Sequence, residues 1–381
     1  MIADKVDFGT EESAMQDYFR QGEARAAALG NRGPLRYDAD GHVHADILNS
    51  YREHGFYVLE GVIDPAEVEE ARKDIHDLLD RLPTDSQSKL DRHGRPAATA
   101  DLPNPVVFWT KPLGDPLGGT GATNNRAAVR MIEPEAAADA PKEVPMLISG
   151  LGQFSDPALR ISGHPGLLSV ASALNGEDFV PFGDSAIVKQ PGRGGSFAWH
   201  QDGTTHWDSP DWDPEIHGFN FMVQLYPCTS ATTVWFVPGS HRSRADIRQL
   251  VEQAGGNRLP QAVPLICEAG DVCISNRQVL HGSFPNTSSD WRVSLTIGFH
   301  RRASVEGVTA NHASGKQVFY DSERVERRAE MISYAIDARR RRFPDETPFV
   351  YRPHADAGLT FAWDAEARRR SFNYQARNLF I

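Results

Sequence analysis

The stretch Trp199-His-Gln-Asp-Gly-Thr-Thr-His-Trp207 places two imidazoles and a carboxylate within nine residues. In an extended chain, residues i and i+2 project to one face, so His200 and Asp202 aim a nitrogen and an oxygen donor at a common point while Gln201 faces away. Such a pair suits a divalent first-row metal, and a second histidine would complete the 2-His-1-carboxylate set that leaves positions open on Fe(II). Two histidines compete for that place. His206 follows Gly203-Thr204-Thr205 and falls in a loop, whereas His281 ends the run "DVCISNRQVLHGS", which reads as a strand pair with small residues after the histidine. His281 is the better candidate.

Past His281 the chain turns at Pro285-Asn286 and returns as "WRVSLTIGFH". Arg292, Ser294 and Thr296 alternate there with Val293, Leu295 and Ile297, which puts the arginine on a polar face at the mouth of a barrel. A guanidinium so placed can take a carboxylate through two parallel hydrogen bonds. Trp199 and Trp207 read as packing residues, and the acidic run "DSPDWDPEIHG" as a solvated loop. The glycine-rich "GGTGATNN" at 118–125 lacks the strand, third glycine and helix of a dinucleotide site. Ser240 beside His241 in "PGSHR" lacks a nucleophile elbow.

Several elements must position these residues. From 179 to 300, short β-rich runs such as "AIVKQ", "FNFMVQLY", "TTVWFVPG" and "DVCIS" alternate with Gly, Pro, Asn and Ser, which predicts an antiparallel sandwich or barrel. Upstream, a strand at Phe56 to Leu59 leads to Asp64 as N-cap, Pro65 at the first helical position and an apolar stripe of Val68, Ala71, Ile75, Leu78 and Leu82. A second helix is predicted from Pro165 to Leu174, closed by Asn175-Gly176. Residues 1–45 are polar with weak helical character and read as an N-terminal extension; residues 84–146, rich in Pro, Gly, Ala and Asn, read as a variable, lid-like insert in a core domain spanning 46–300. The segment 301–381 holds fifteen Lys/Arg against eleven Asp/Glu. Its stripe of Val325, Ala329, Ile332 and Ile336 predicts a C-terminal helix docked on an acidic body, with Arg339 to Arg342 as a solvated end.

The ordered set of His200-x-Asp202, His281 and Arg292 eleven residues later resembles the Fe(II)/2-oxoglutarate-dependent oxygenases, specifically the phytanoyl-CoA dioxygenase family. "GFYVLEGVIDPAEVEEAR", "IVKQPGRGGSFAWHQDG", "WFVPGSHR" and "LHGSFPN" resemble further segments of that family, so the likeness runs from about residue 46 to 300. It implies a mostly β protein with flanking helices around a double-stranded β-helix core of the jelly-roll, cupin-like kind. It further implies iron ligation by His200, Asp202 and His281, with Arg292 and Ser283 on the distal carboxylate of 2-oxoglutarate and with Lys189 and Phe197 lining the cosubstrate pocket. The reaction implied consumes O2, releases succinate and CO2, and hydroxylates a small molecule; Asp202 argues against halogenation, since related halogenases lack that carboxylate. Ser230-Ala231-Thr232 departs from the Asn-Gly that many members carry. A non-catalytic metal- or ligand-binding protein on the same barrel is the alternative.

Composition bounds the partners. With 40% hydrophobic residues in 381 the chain can bury a large core, and a net charge of −11 disfavours nucleic acid. Three cysteines are too few for a disulfide framework, acidic residues stand where a signal peptide needs basic ones, and no stretch approaches the roughly 18 apolar residues of a membrane span. These features predict a cytoplasmic protein with a small-molecule partner, of open oligomeric state.

Overall fold

The computed structural model describes residues 6–102, 105–121, 127–203, 218–311, 317–372 and 374. Helix α1 (Glu12–Leu29) buries Met15, Tyr18, Phe19 and Gly22. This corrects the expectation of weak helical character for 1–45. The apolar stripe is sparse, and the helix gains its stability from tertiary packing: Tyr18 stacks on Trp235 at 4.5 Å between ring centroids, and Phe19 lies against Phe284. Strand β1 (Arg32–Pro34) runs parallel to β2 (Phe56–Glu60), with α2 (Ala45–His54) between them. Helix α3 (Pro65–Asp80) starts as expected, Asp64 accepting from the Ala66 amide at 2.8 Å, and buries the predicted stripe.

The insert 84–146 contributes regular structure of its own. Strands β3 (Val107–Thr110) and β4 (Val144–Ser149) pair antiparallel and extend the large sheet beyond β5 (Phe179–Lys189). Then follow β6 (Phe197–His200), β7 (Phe219–Gln224), β8 (Trp235–Phe236), β9 (Val263–Pro264), β10 (Val272–Asn276), β11 (His281–Ser283), β12 (Arg292–Arg301) and a small hairpin of β13 (Thr309–Asn311) and β14 (Gln317–Phe319).

Two sheets result, in the orders β1-β2-β10-β7-β12-β5-β4-β3 and β6-β11-β8-β9. From β5 to β12 the chain moves between them, large sheet for β5, β7, β10 and β12, small sheet for the rest, and the pairings among these strands are antiparallel. This is a double-stranded β-helix, or jelly roll. The two sheets stay separate among the described residues, so the expected barrel mouth is the open end of a sandwich. "DVCISNRQVLHGS" is a pair of strands as read, but β10 and β11 lie in different sheets and do not pair with each other.

Alternation on β12 sorts its two faces. Val293, Leu295, Ile297 and Phe299 join Phe219, Phe221, Val223 and the helical stripes in the main core, where helix Pro165–Asn175, ended by Gly176 at φ 83°, also packs. Arg292 and Ser294 turn toward the small sheet, in register with Lys189 of β5 and Gln224 of β7. Helix Ser322–Arg342 buries Val325, Ala329 and Ile332 of the predicted stripe, and Ile336 is half-buried. Its basic end is only partly solvated: Arg339 is buried and pairs with Glu67 of α3 at 2.7 Å and with Glu346 at 2.5 Å. No helix among the described residues is long and apolar enough to cross a membrane.

Candidate metal centre

β6 and β11 are antiparallel neighbours with His281 directly across from His200. Their rings lie 4.1 Å apart between centroids, and one ligand atom from each of His200, Asp202 and His281 falls within 4.8 Å of the others. His200 Nε2 stands 3.8 Å from Asp202 Oδ1. Each ring is held from behind. His200 Nδ1 contacts the Ala198 carbonyl at 2.6 Å and His281 Nδ1 the Val279 carbonyl at 2.9 Å. A carbonyl only accepts, so each Nδ1 carries a hydrogen, and in the neutral ring Nε2 is then the nitrogen with a lone pair for a metal. Two imidazole nitrogens and a carboxylate oxygen converging in this way fit a divalent first-row ion.

The surrounding contacts fix that geometry. The Asp202 amide donates to the Arg277 carbonyl at 2.9 Å. Gln201 faces away as the period of two requires: its Nε2 donates to the carbonyls of Ser240, Ser243 and Gln278, and its Oε1 accepts from the Ala245 amide at 2.8 Å. β6 is the edge of its sheet, and the insert covers it. Asp115 Oδ2 accepts from the Ala198 amide at 2.6 Å, and the Ser196 amide donates to the Gly114 carbonyl at 3.1 Å.

A second cluster of chemistry adjoins the first. Lys189 and Arg292 are cross-strand partners, and both are buried. Lys189 Nζ donates to Ser283 Oγ at 2.8 Å and to the Phe284 carbonyl at 2.5 Å; Phe197 lies in register with Ser283. Burial, helped by the neighbouring Arg292 charge, holds the Lys189 amine well below the usual lysine range, with Asp115 pulling the other way. Arg292 Nε donates to Ser294 Oγ at 3.2 Å, and burial lowers its pKa as well. Among the described residues neither cation forms an ion pair with a carboxylate. A buried guanidinium and a buried amine are costly to keep ionised without a countercharge, and an anionic ligand would offset that cost.

All seven predicted residues, His200, Asp202, His281, Ser283, Arg292, Lys189 and Phe197, thus fall along the space between the two sheets. Asp115 escaped the sequence reading because it comes from the insert. Gln224, across from Ser294, carried one signal, a polar residue closing an apolar strand. His206, Trp207 and the acidic residues 208–217 lie outside the described residues, as do 122–125 of the glycine-rich run. Trp199 is a packing residue in the cluster with Trp235 and Phe284. The turn at Ser230-Ala231-Thr232 closes without glycine: the Thr232 and Thr233 amides donate to the Thr229 carbonyl, and Ser230 Oγ donates to Glu23 of α1 at 2.5 Å. Ser240 and His241 do not serve each other, since Ser240 Oγ donates to the Val237 carbonyl while His241 Nε2 contacts the Arg52 carbonyl. The exposed group Asp38, Asp40 and His42 is a turn, with Asp38 Oδ1 accepting from the other two amides.

Comparison with known proteins adds an independent finding. Residues 51–294 match the family model described as phytanoyl-CoA dioxygenase (PhyH). Phytanoyl-CoA dioxygenase 1 of Oryza sativa subsp. japonica is 29% identical over 119 residues, 29% of this chain and 41% of that protein, so the likeness spans less than half of the relative's length. Among solved structures, EctD from S. alaskensis with 2-oxoglutarate and 5-hydroxyectoine superposes with a TM-score of 0.49 at 18% identity, covering 72% of this chain and 82% of that one. AviO1 from Streptomyces viridochromogenes superposes with a TM-score of 0.45 at 20% identity, covering 73% and 96%.

Proposed function

Because the chain belongs to the phytanoyl-CoA dioxygenase family, we propose that it is an Fe(II)- and 2-oxoglutarate-dependent dioxygenase that hydroxylates a small-molecule metabolite and releases succinate and CO2. The observation that carries this reading is the placement of an N, N, O donor set between the same two sheets as a buried guanidinium and a buried lysine amine that form no ion pair among the described residues. Its three free, buried cysteines suit the reducing cytoplasm.

When bound by His200, Asp202 and His281, Fe(II) supplies the redox chemistry that couples decarboxylation of the 2-oxo acid by O2 to oxidation of a substrate C–H bond. The protein's own part is to bind and orient. The Ala198 and Val279 carbonyls keep both Nδ1 hydrogens in place, so the neutral rings of His200 and His281 would present Nε2 to the ion. Arg292 takes the distal carboxylate of the cosubstrate through its fork of donors. Lys189 adds its amine to the same carboxylate as a further donor, while the Ser283 hydroxyl, which accepts from Lys189, is turned to donate its own hydrogen to the ligand. Phe197 closes the pocket beside Ser283. Substrate choice is assigned to the segments 84–146, 203–218 and 301–381, since connections around such a sheet pair vary freely in sequence and length.

The test is O2 consumption and succinate formation by the purified protein given Fe(II) and 2-oxoglutarate, screened against candidate metabolites for stimulation. His200→Ala and Asp202→Ala should abolish turnover. Wild-type rates in either variant would remove the site assignment, and ligand binding that is indifferent to iron would favour a non-catalytic binding protein.

A further inference from the structure

The buried cosubstrate arginine raises a question of orientation. A guanidinium carries five N–H donors on a flexible stem, and among the described residues no carboxylate pairs with Arg292 to hold it. Its orientation must come from neutral groups. Gln224 and Ser294 are both 0% exposed and stand directly across from each other on β7 and β12.

The hydrogen bonds between them have a direction. Gln224 Nε2 donates to the Met222 carbonyl at 3.1 Å, which turns the amide oxygen toward Ser294. That oxygen accepts from Ser294 Oγ at 2.5 Å and from Cys228 Sγ at 3.1 Å. Burial pushes the Cys228 thiol up, so it keeps the hydrogen it donates. Ser294 has a single hydrogen. Having given it to Gln224, the hydroxyl offers lone pairs to Arg292 Nε at 3.2 Å. The backbone beneath is fixed as well, the Gln224 amide donating to the Asp271 carbonyl at 3.0 Å. With Nε anchored on Ser294 and the Cys228 sulfur as a further side-chain partner of the guanidinium, the N–H donors left over are those available to a carboxylate.

We propose that Gln224 is a positioning residue for the cosubstrate: it holds the Ser294 hydroxyl, and through it the Arg292 guanidinium, in the orientation that receives the distal carboxylate of 2-oxoglutarate. The proposal rests on the 2-oxoglutarate reading above. Gln224 itself touches neither the cosubstrate nor the metal ligands.

Gln224→Met keeps the volume and removes the acceptor. The Fe(II)-loaded protein would be titrated anaerobically in a calorimeter with 2-oxoglutarate and, separately, with 2-oxopentanoate, which has the same 2-oxo acid head and chain length without the distal carboxylate. The variant should bind 2-oxoglutarate about tenfold more weakly, the worth of one buried hydrogen bond, and 2-oxopentanoate as wild type does. In turnover the KM for 2-oxoglutarate should rise with kcat nearly unchanged. Equal losses for both acids would make Gln224 a merely structural residue, and no loss for either would equally overturn the proposal. If wild type fails to bind 2-oxoglutarate, the cosubstrate reading itself falls; if wild type binds and the variant binds as well, only the relay falls. Should Gln224→Met not fold, Ser294→Ala breaks the same relay from β12 and must give the same selective loss.

Discussion

Arg292→Met should make the ligand-free protein more stable and at the same time blind it to 2-oxoglutarate. Arg292 is 2% exposed, its neighbours are the Ser294 hydroxyl and the Cys228 thiol, and no described carboxylate pairs with it. Burying an ion costs several kcal/mol even after relaxation, and a hydrogen bond from a charged group to a neutral acceptor returns about 1.5–3 kcal/mol. Methionine has similar length and no charge to desolvate, and Ser294 keeps its bond to Gln224. The expected gain is about 1–3 kcal/mol, at roughly 1 °C of melting temperature per kcal/mol for a chain of this length. Wild type at roughly a hundred times its Kd for 2-oxoglutarate should be stabilised by about 2.7 kcal/mol. The variant should gain almost nothing. Melting curves of both proteins with and without 2-oxoglutarate measure all of this in one plate. A variant less stable than wild type without ligand, or one shifted by ligand as much as wild type, would refute the idea that Arg292 is a buried charge waiting for an anion.

Lys189 should leave a mark on pH dependence. Burial first and Arg292 second hold its amine well below 10.5 in the folded protein, so over the window from that lowered value to 10.5 the unfolded chain binds the extra proton and stability rises with pH. Lys189→Met should flatten that slope in denaturation curves, and within the same pH window 2-oxoglutarate binding to wild type should take up a proton, seen as a buffer-dependent heat, and weaken as pH rises. Gly22→Ala tests the docking of α1: the new Cβ would lie 2.2 Å from Trp235 Cη2 and 2.5 Å from Cζ3. An overpacking cost of about 1–3 kcal/mol should exceed the helix-propensity gain of about 1 kcal/mol, and an unchanged or raised melting temperature would show that α1 can shift freely. Arg339→Met should cost about 3–5 kcal/mol by stranding the buried Glu67 carboxylate; adding Glu67→Gln should recover part of that loss in urea unfolding.

The features readable from the sequence are those that backbone geometry repeats locally. A period of two placed His200 and Asp202 together, turned Gln201 away and separated Arg292 and Ser294 from Val293 and Leu295. A period of 3.6 and the Asp64-Pro65 start marked α3. Helix α1 was hidden because its sparse stripe becomes stable only against Trp235 and Phe284, residues that reach it through the fold. The same holds for β3 and β4, whose pairing completes a sheet edge inside a segment of loop-like composition.

At the site the division is sharper. Residue type and order along the chain pointed to His200, Asp202, His281 and Arg292, and the family resemblance added Ser283, Lys189 and Phe197, but their distances from one another were decided by strand register. His200 meets His281, and Lys189 meets Arg292 and Ser283, because β6 pairs with β11 and β5 with β12 while the two pairs face each other from different sheets. The contact of Asp115 with the Ala198 amide of β6 and the place of Gln224 behind Ser294 belong to the same level of organisation. Local spacing is imposed by the peptide backbone and can be read one residue at a time. Contacts between strands far apart in the chain depend on which strands pair, in what register and across which gap, and the packing of the whole core selects those.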